Sequence, residues 1–440
     1  MKFLKDKPYI SIGFMLFAMF FGAGNLIFPA ILGQNAGSNL SLSMIGLILT
    51  GVGLPLLGVL VIGYSGANDL LDLSSRAGKF FGLFFTTSLY LTIGPFFAIP
   101  RTGTTTFSLG VSSFVSEENQ GLALMIFLAI FMGLTLLLSV KQTKLVDIIG
   151  NIITPVLLVS IAILIIKSLV SPMGDYQSPM EGYETSSGAL TKGILEGYNT
   201  MDALASLVFG IVVINAVKFY GAKNSKEIFS NTAKAAVIAA ILLGIIYVFI
   251  ANIGATGVSQ LGVQETGAGI LSGATNYYFS SIGRVLLFVI VFLACLTTSV
   301  GLTTACSSYF NRIYPKISYN AYAISIVVFS LVVGQVGLSA LITYAVPVLI
   351  FLYPLTIVLI FLGLFNNFFG GKKDVYVYTI LFTVLISAYI TLTSTLKVSV
   401  PLIDNIIANL PLQNYEFGWL NITLVGFVIG LIVSKLRKNN

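Results

Sequence analysis

The sequence lacks histidine and has few charged residues, which make up only 9% of its 440 positions. Without histidine, the chain has no imidazole for acid–base catalysis, for metal coordination or for sensing pH near neutrality. Soluble globular proteins carry about 25% charged residues, so this chain has too little charge to cover a surface in water. These shortages exclude receptors with a large extramembrane domain and most classes of soluble enzyme.

Cysteine is scarce as well. The only two cysteines, Cys295 and Cys306, fall in one apolar stretch. On one continuous helix they would be roughly 16 Å apart, which is too far for a disulfide bond. We therefore expect two buried thiols without a chemical role.

Apolar residues are abundant instead: they make up 56% of the chain, and the mean hydropathy is +0.97. A membrane-spanning helix needs roughly 20 of them. The sequence predicts an all-α membrane protein with twelve transmembrane helices, because its apolar segments are too long and too uniform for β-barrel strands. The predicted segments are 9–32, 41–64, 80–106, 121–140, 145–168, 190–217, 232–256, 280–308, 319–336, 338–364, 374–396 and 415–435.

Lysine and arginine are concentrated in every second predicted loop, and acidic residues in the others. Because basic loops stay on the cytoplasmic side, this alternation predicts a multi-pass protein of a bacterial cell membrane with both termini in the cytoplasm. The net charge of +7 is then a topology signal. We expect the lipid bilayer as surroundings, with no nucleic-acid partner and no obligate protein partner.

The first segment contains Gly22, Ala23, Gly24 and Asn25 near its middle. One interpretation is a close helix–helix contact through small residues. The other is a helix broken within the membrane, which would offer the amides of the outer half to an anion and the last carbonyls of the inner half to a cation.

The sixth segment contains Asp202, and a carboxylate inside a span is a functional candidate by default. Alternatively, a helix starts near Met201 and Asp202 caps it at the membrane surface. The eighth segment contains Thr297 and Thr298. Their hydroxyls either bond within the helix bundle or help to bind a hard cation such as Na⁺.

Three stretches carry a resemblance to a known family: FGAGNLIFP (21–29), YNTMDALASLVFG (198–210) and GPFFAIPRTGTTTF (94–107). The chain resembles the branched-chain amino acid–cation symporters of the BrnQ type over nearly its whole length. This resemblance implies the five-plus-five inverted repeat of the leucine transporter. The first repeat would cover 8–169 and the second 189–365, followed by two additional helices within 374–435.

The resemblance also implies roles for individual residues. The amides of Ala23 and Gly24, in the stretch that includes Asn25, would bind the substrate carboxylate. The carbonyls of Gly22, Ala203 and Leu204 and the Ser206 hydroxyl would bind its amino group, with Phe209 at the side-chain pocket. Na⁺ would be held by Ala18, Phe21, Ala294, Thr297 and Thr298. The relative's outer-gate arginine has no counterpart before Ile27; Arg101 is a substitute, unless it only extends to the membrane surface.

The resemblance therefore implies a secondary active transporter, not an enzyme, that imports leucine, isoleucine and valine with Na⁺ and has no cofactor. H⁺ is the alternative coupling ion, with Asp202 as the coupling residue. Another neutral amino acid or small zwitterion is an alternative substrate. A passive channel is a further alternative, although channels line their pores with rings of repeated groups, whereas these motifs are single.

Overall fold

The computed structural model describes residues 7–141, 144–413 and 417–437, and every regular element in these ranges is helical. The α-helices, numbered in chain order, are α1 Pro8–Phe20, α2 Ala23–Ala36, α3 Leu40–Ile48, α4 Leu54–Tyr64, α5 Leu70–Ser75, α6 Lys79–Leu91, α7 Ala98–Gly110, α8 Gln120–Ser139, α9 Thr154–Val170, α10 Ser186–Asn199, α11 Asp202–Phe219, α12 Ser225–Leu261, α13 Gly267–Ile313, α14 Tyr319–Gly334, α15 Leu338–Leu364, α16 Lys373–Leu396, α17 Pro401–Ala408 and α18 Trp419–Leu436. Three π-helical segments lie among them: Leu49–Gly53, Thr92–Phe96 and Val146–Ile153.

Within the described residues, ten helical runs are long and apolar enough to cross a membrane. Two shorter apolar helices, α1 and α14, accompany them. The predicted all-α membrane fold is confirmed, while the count of twelve spans stays a prediction.

Several predicted segments differ from the helices that form. Segments 9–32 and 190–217 are each split into two helices. Segment 80–106 is interrupted at Gly94, where the backbone leaves helical geometry directly before Pro95. Segment 280–308 is the inner part of the longer helix α13, which bends at Ser280. The first two residues of segment 415–435 lie outside the described residues.

Glycines bring two pairs of helices into backbone contact. A Cβ on Gly33 of α2 or on Gly254 of α12 would overlap a backbone carbonyl of the other helix. Likewise, a Cβ on Gly46 of α3 or on Gly193 of α10 would overlap a carbonyl across that contact. Small residues of this kind allow membrane helices to pack closely when water provides no driving force. One half of each broken segment, α2 or α10, thus packs on a helix that belongs to the other predicted repeat.

Ion pairs and hydrogen bonds join the loops at the end of the bundle that holds Arg437, which we call the C-terminal face. Arg437 Nη1 lies 2.6 Å from Asp374 Oδ1. Arg312, at the end of α13, pairs with Asp69, which is only 3% exposed although its partner reaches water. Arg76 donates to the Ser65 carbonyl at 2.7 Å and also contacts the loop after α15. The loops of this face are therefore held together.

At the opposite face, the end of α2 is tied to its surroundings. Gln34 and Gln264 exchange two hydrogen bonds of 2.8 and 2.9 Å, each between the side chain of Gln34 and the backbone of Gln264. The Ser38 amide also donates to the Gln177 carbonyl at 3.0 Å. These bonds link α2 to the segment before α13 and to the loop after α9.

Both cysteines are free and buried in the α13 region of the core. Cys306 donates to the Tyr90 carbonyl at 3.3 Å. The two thiols lie on one uninterrupted stretch of α13, as the expectation of separate thiols requires.

The contact between α2 and α12 predicts a stability difference between two glycines of the same helix. We expect Gly254→Ala to lower the melting temperature in detergent by several degrees, because overpacking costs about 1–3 kcal/mol. Gly244→Ala is the matched control, since a Cβ at Gly244 meets no described atom within 4 Å. The measurement is thermal unfolding followed by size-exclusion chromatography. Equal melting temperatures for the two variants would contradict the close contact.

Candidate functional site

The first break lies between α1 and α2. Phe21 and Gly22 leave helical geometry, and α2 starts at Ala23. Asn25 closes the start of α2 by accepting the Gly22 amide at 3.0 Å. The helix is therefore broken, as one interpretation of this stretch predicts. It also makes the close helix–helix contact of the other interpretation, since a Cβ on Gly22 would lie 2.9 Å from the hydroxyl oxygen of Thr298.

The second break lies between α10 and α11. Met201 takes a left-handed conformation with φ 67°, and α11 begins at Asp202. Thr200 donates to the Gly197 carbonyl at 2.8 Å, which terminates α10. A helix does start near Met201, as the capping interpretation predicts. However, α10 precedes it directly and Asp202 is only 3% exposed, so its carboxylate lies inside the bundle.

One polar cluster joins the two breaks. The Asn25 side-chain amide donates to Asp202 Oδ2 and contacts the hydroxyl oxygen of Tyr247. Tyr247 of α12 donates to the same carboxylate oxygen at 2.8 Å. Sequence reasoning missed Tyr247; the only available signal was a phenol in the middle of an apolar segment. The cluster fixes the start of α2 against the start of α11.

A cavity of about 30 Å³ lies between the two breaks. The residues that the sequence predicted for the site and that line this cavity are Gly22, Ala23, Gly24, Asn25, Arg101, Asp202, Phe209 and Thr298. Residues that sequence reasoning missed complete its wall, among them Phe20, Ile93, Thr200, Ala205 and Leu302. A cavity of this size holds about one or two water molecules, so a larger ligand requires the walls to move.

Ala203, Leu204 and Ser206 do not line this cavity. The Ser206 hydroxyl donates to the Ala203 carbonyl at 2.7 Å. Its side chain faces α4, where a Cβ on Gly58 would overlap it. The role expected for the Ser206 hydroxyl is therefore corrected: in this structure it packs two helices together.

Arg101 lines the central cavity and two wider cavities toward the opposite face, of about 270 and 750 Å³. Its Nη2 atom would be 3.4 Å from a Cβ on Gly24, so the guanidinium lies at the start of α2. The alternative that Arg101 only extends to the membrane surface is wrong. The wider cavities also include Glu196, Tyr353 and Trp419.

The oxygens expected to bind a cation are close together. The Thr297 hydroxyl lies 2.7 Å from the Ala18 carbonyl and 2.9 Å from the Ala294 carbonyl. The Thr298 hydroxyl lies 3.1 Å from the same Ala294 oxygen. Ala18, Phe21, Ala294 and Thr297 are fully buried. The structure thus brings α1 and α13 together at these residues.

Known proteins that are similar to this chain indicate the class of function to which the two breaks belong. A family model described as "Branched-chain amino acid transport protein" matches residues 5–437. The chain belongs to this family. The branched-chain amino acid permease BrnQ of Bacillus subtilis (strain 168) is 45% identical over 429 residues, which cover 97% of each chain. The permease BraB of the same organism is 43% identical, over 98% of this chain and 96% of its own.

Two solved structures are similar to this branched-chain transport family member. Mhp1, a nucleobase-cation-symport-1 family transporter, has a TM-score of 0.60 at 12% identity, over 97% of this chain and 92% of its own. MhsT, solved in complex with L-phenylalanine, has a TM-score of 0.51 at 19% identity, over 97% and 98%. The likeness confirms the leucine-transporter fold, and the relatives are named permeases rather than enzymes.

The polar cluster predicts that removal of the Tyr247 hydroxyl lowers the stability of the protein. We expect Tyr247→Phe to destabilise the protein by about 1–3 kcal/mol, because Asp202 and Asn25 lose a buried partner. Tyr278→Phe is the matched control, since the buried Tyr278 hydroxyl has no hydrogen-bond partner in the described part of the chain. Thermal unfolding of both variants in detergent measures the difference. A Tyr247→Phe protein as stable as the Tyr278→Phe protein would be incompatible with the cluster.

Proposed function

We propose that this protein is a secondary active transporter that imports leucine, isoleucine and valine together with Na⁺ by alternating access. The observation that carries the proposal is the pair of helix breaks that face each other across one cavity. Broken helices expose backbone groups in mid-membrane, where transporters of inverted-repeat architecture bind substrate and ion. The names of the related permeases support the same class of substrate.

The shape of the cavity supports a neutral, branched aliphatic substrate. Phe20, Ile93, Phe209 and Leu302 form an apolar wall beside the start of α2. The N-cap of α2 is Gly22, which supplies no side-chain acceptor, and Gly24 in the first turn lines the cavity, so a carboxylate can approach the positive end of this helix. An amino acid can therefore place its backbone at the breaks and its side chain against the apolar wall.

The oxygens around Thr297 support Na⁺ as the coupling ion. The Thr297 hydroxyl has three carbonyl acceptors within 3.0 Å, including Leu293, but only one proton to donate. By turning this proton toward Leu293, the hydroxyl can direct a lone pair to an ion that it shares with Ala18. Hard cations prefer such oxygen ligands.

Binding of an ion between α1 and α13 would be coupled to substrate binding through the conformation of the protein. It would stabilise the arrangement in which the break of α1 lies against Thr297 and Thr298. Thr298 also lines the substrate cavity, next to Gly22. Ion and substrate would thus favour the same conformation, and the coupling cannot exceed their differential affinity for the two states.

The basic loops support an orientation with the C-terminal face in the cytoplasm of a bacterial cell. The wide cavity of about 750 Å³ lies toward the opposite face, whereas Arg312 and Asp69 form an ion pair at the C-terminal face. In the proposed cycle, the wide cavity closes over the substrate and the contacts of the C-terminal face then separate.

A proton-coupled mechanism is the second candidate, because Asp202 is a buried carboxylate at the substrate cavity. It would bind and release the proton during the cycle. Imposed gradients separate the two mechanisms: a Na⁺ gradient drives uptake in one, and a pH gradient in the other.

Uptake into proteoliposomes tests the proposed function. With an inward Na⁺ gradient, we expect accumulation of labelled leucine that excess isoleucine or valine abolishes and excess lysine or glutamate does not, because the apolar wall has no partner for a charged side chain. Liposomes with a pH gradient alone are the control. Equal competition by lysine would refute the neutral pocket, and uptake driven only by the pH gradient would refute the coupling ion.

The proposed ion site predicts the effect of substituting its two threonines. We expect Thr298→Ala and Thr297→Val to raise the Na⁺ concentration for half-maximal leucine uptake by tenfold or more, about 1.4 kcal/mol. Leucine binding at saturating Na⁺ should remain. Thr303→Val is the matched control on the same helix, because its buried hydroxyl has no hydrogen-bond partner among the described residues. Unchanged Na⁺ dependence in the first two variants would rule out this site.

A further inference from the structure

Two charged side chains lie on the wall of the central cavity. If backbone groups at the helix breaks alone bind the amino acid, these two side chains have no role in substrate binding. They are Arg101 and Asp202, the charged members among the described residues that line this cavity. Charges in the interior of a membrane protein are costly, so they require partners or a function.

We propose that Asp202 binds the α-ammonium group of the substrate and Arg101 its α-carboxylate, so that the cavity selects the complete zwitterion. This inference rests on the proposed function, since it identifies what the transporter recognises in its substrate. It replaces the ammonium site expected from Ser206, which faces α4 instead.

The carboxylate of Asp202 has the geometry to bind an ammonium group. Its Oδ2 atom accepts hydrogen bonds from Asn25 and Tyr247, which hold the side chain in place at the cavity wall. An ionised carboxylate has about four acceptor positions. Two are taken at Oδ2, so the group retains the capacity for an N–H donor in the cavity. The Thr200 hydroxyl on the same wall accepts the Asp202 amide at 3.4 Å and has a second lone pair for an N–H donor.

Arg101 lines the same cavity. Its guanidinium lies at the start of α2, close to Gly24, where the helix amides and the helix dipole already favour an anion. The missing side chain of Gly24 leaves the room for this approach. A carboxylate bound there would receive charge-assisted hydrogen bonds from the guanidinium and from the backbone.

The two sites match an amino acid in charge, and they lie next to each other. Asn25 belongs to the first turn of α2 and also bonds to Asp202, so the anion site and the cation site adjoin. The ammonium and carboxylate groups of an α-amino acid are attached to one carbon atom and need such adjacent sites. Binding a zwitterion adds no net charge, and it gives each buried charge an opposite partner.

The proposal predicts which leucine analogues are rejected. 4-Methylpentanoate, which is leucine without its amino group, would leave Asp202 without a cation and bring a second anion into the cavity. 3-Methylbutylamine, which is leucine without its carboxylate, would do the converse at Arg101. We expect each to compete with labelled leucine at least 100-fold more weakly than leucine itself, as the loss of a charged hydrogen bond implies.

The experiment measures competition for labelled leucine bound to purified full-length protein at saturating Na⁺, so that variants that bind but do not transport can be compared. For Asp202→Asn we expect the affinity for leucine to fall tenfold or more. Its affinity for 4-methylpentanoate should not fall, because the second anion no longer meets a negative charge, so discrimination between the two should decrease at least tenfold. For Arg101→Met, discrimination against 3-methylbutylamine should collapse and that against 4-methylpentanoate should remain. Thr303→Val is the control and should keep both preferences.

The outcomes separate this proposal from the proposed function. If the wild-type protein binds leucine but also binds either analogue equally well, the zwitterion site is wrong and the transport function stands. Equal weakening of all three ligands in both variants would show a structural role and overturn the assignment. If one variant does not fold, the other variant and the wild-type competition still decide. A wild-type protein that binds no leucine would refute the proposed function itself.

Discussion

Breaking a helix inside a membrane leaves backbone amides and carbonyls that lipid cannot satisfy, and this constraint governs the centre of the structure. Asn25 accepts the Gly22 amide at the first break, and Thr200 bonds to the end of α10 at the second. The Thr297 hydroxyl meets the Ala18 carbonyl near the end of α1. The polar residues around the cavity therefore first stabilise the breaks, and any ligand that replaces these bonds must supply equivalent ones.

The close backbone contacts show how the breaks are held in the bundle. Helix α2 packs on α12 through Gly33 and Gly254, and helix α10 packs on α3 through Gly46 and Gly193. Each of these half-helices is thus anchored on a helix of the other predicted repeat.

The sequence alone predicts the class of fold and the positions of both breaks, because apolar length, glycine and a buried carboxylate leave strong local signals. It does not predict which way a side chain faces within a helix. Ser206 and Phe209 are three residues apart, yet Ser206 faces α4 while Phe209 faces the cavity. Tyr247 could not be paired with Asp202, because the contact depends on how α12 packs against the second break. Helix ends such as the start of α12 at Ser225 depend on a cap, here Asn224, that hydropathy does not detect.

The burial of Cys295 and Cys306 has a practical consequence for following conformational change. With both native thiols fully enclosed, a cysteine introduced on the surface is the only thiol that a bulky maleimide dye would reach. A single dye at Glu265, beside the hydrogen-bonded pair of Gln34 and Gln264, would report the environment of α2 at the cavity of about 270 Å³. The native sequence can thus serve directly as the background for fluorescence and spin-label measurements, without replacement of either buried residue.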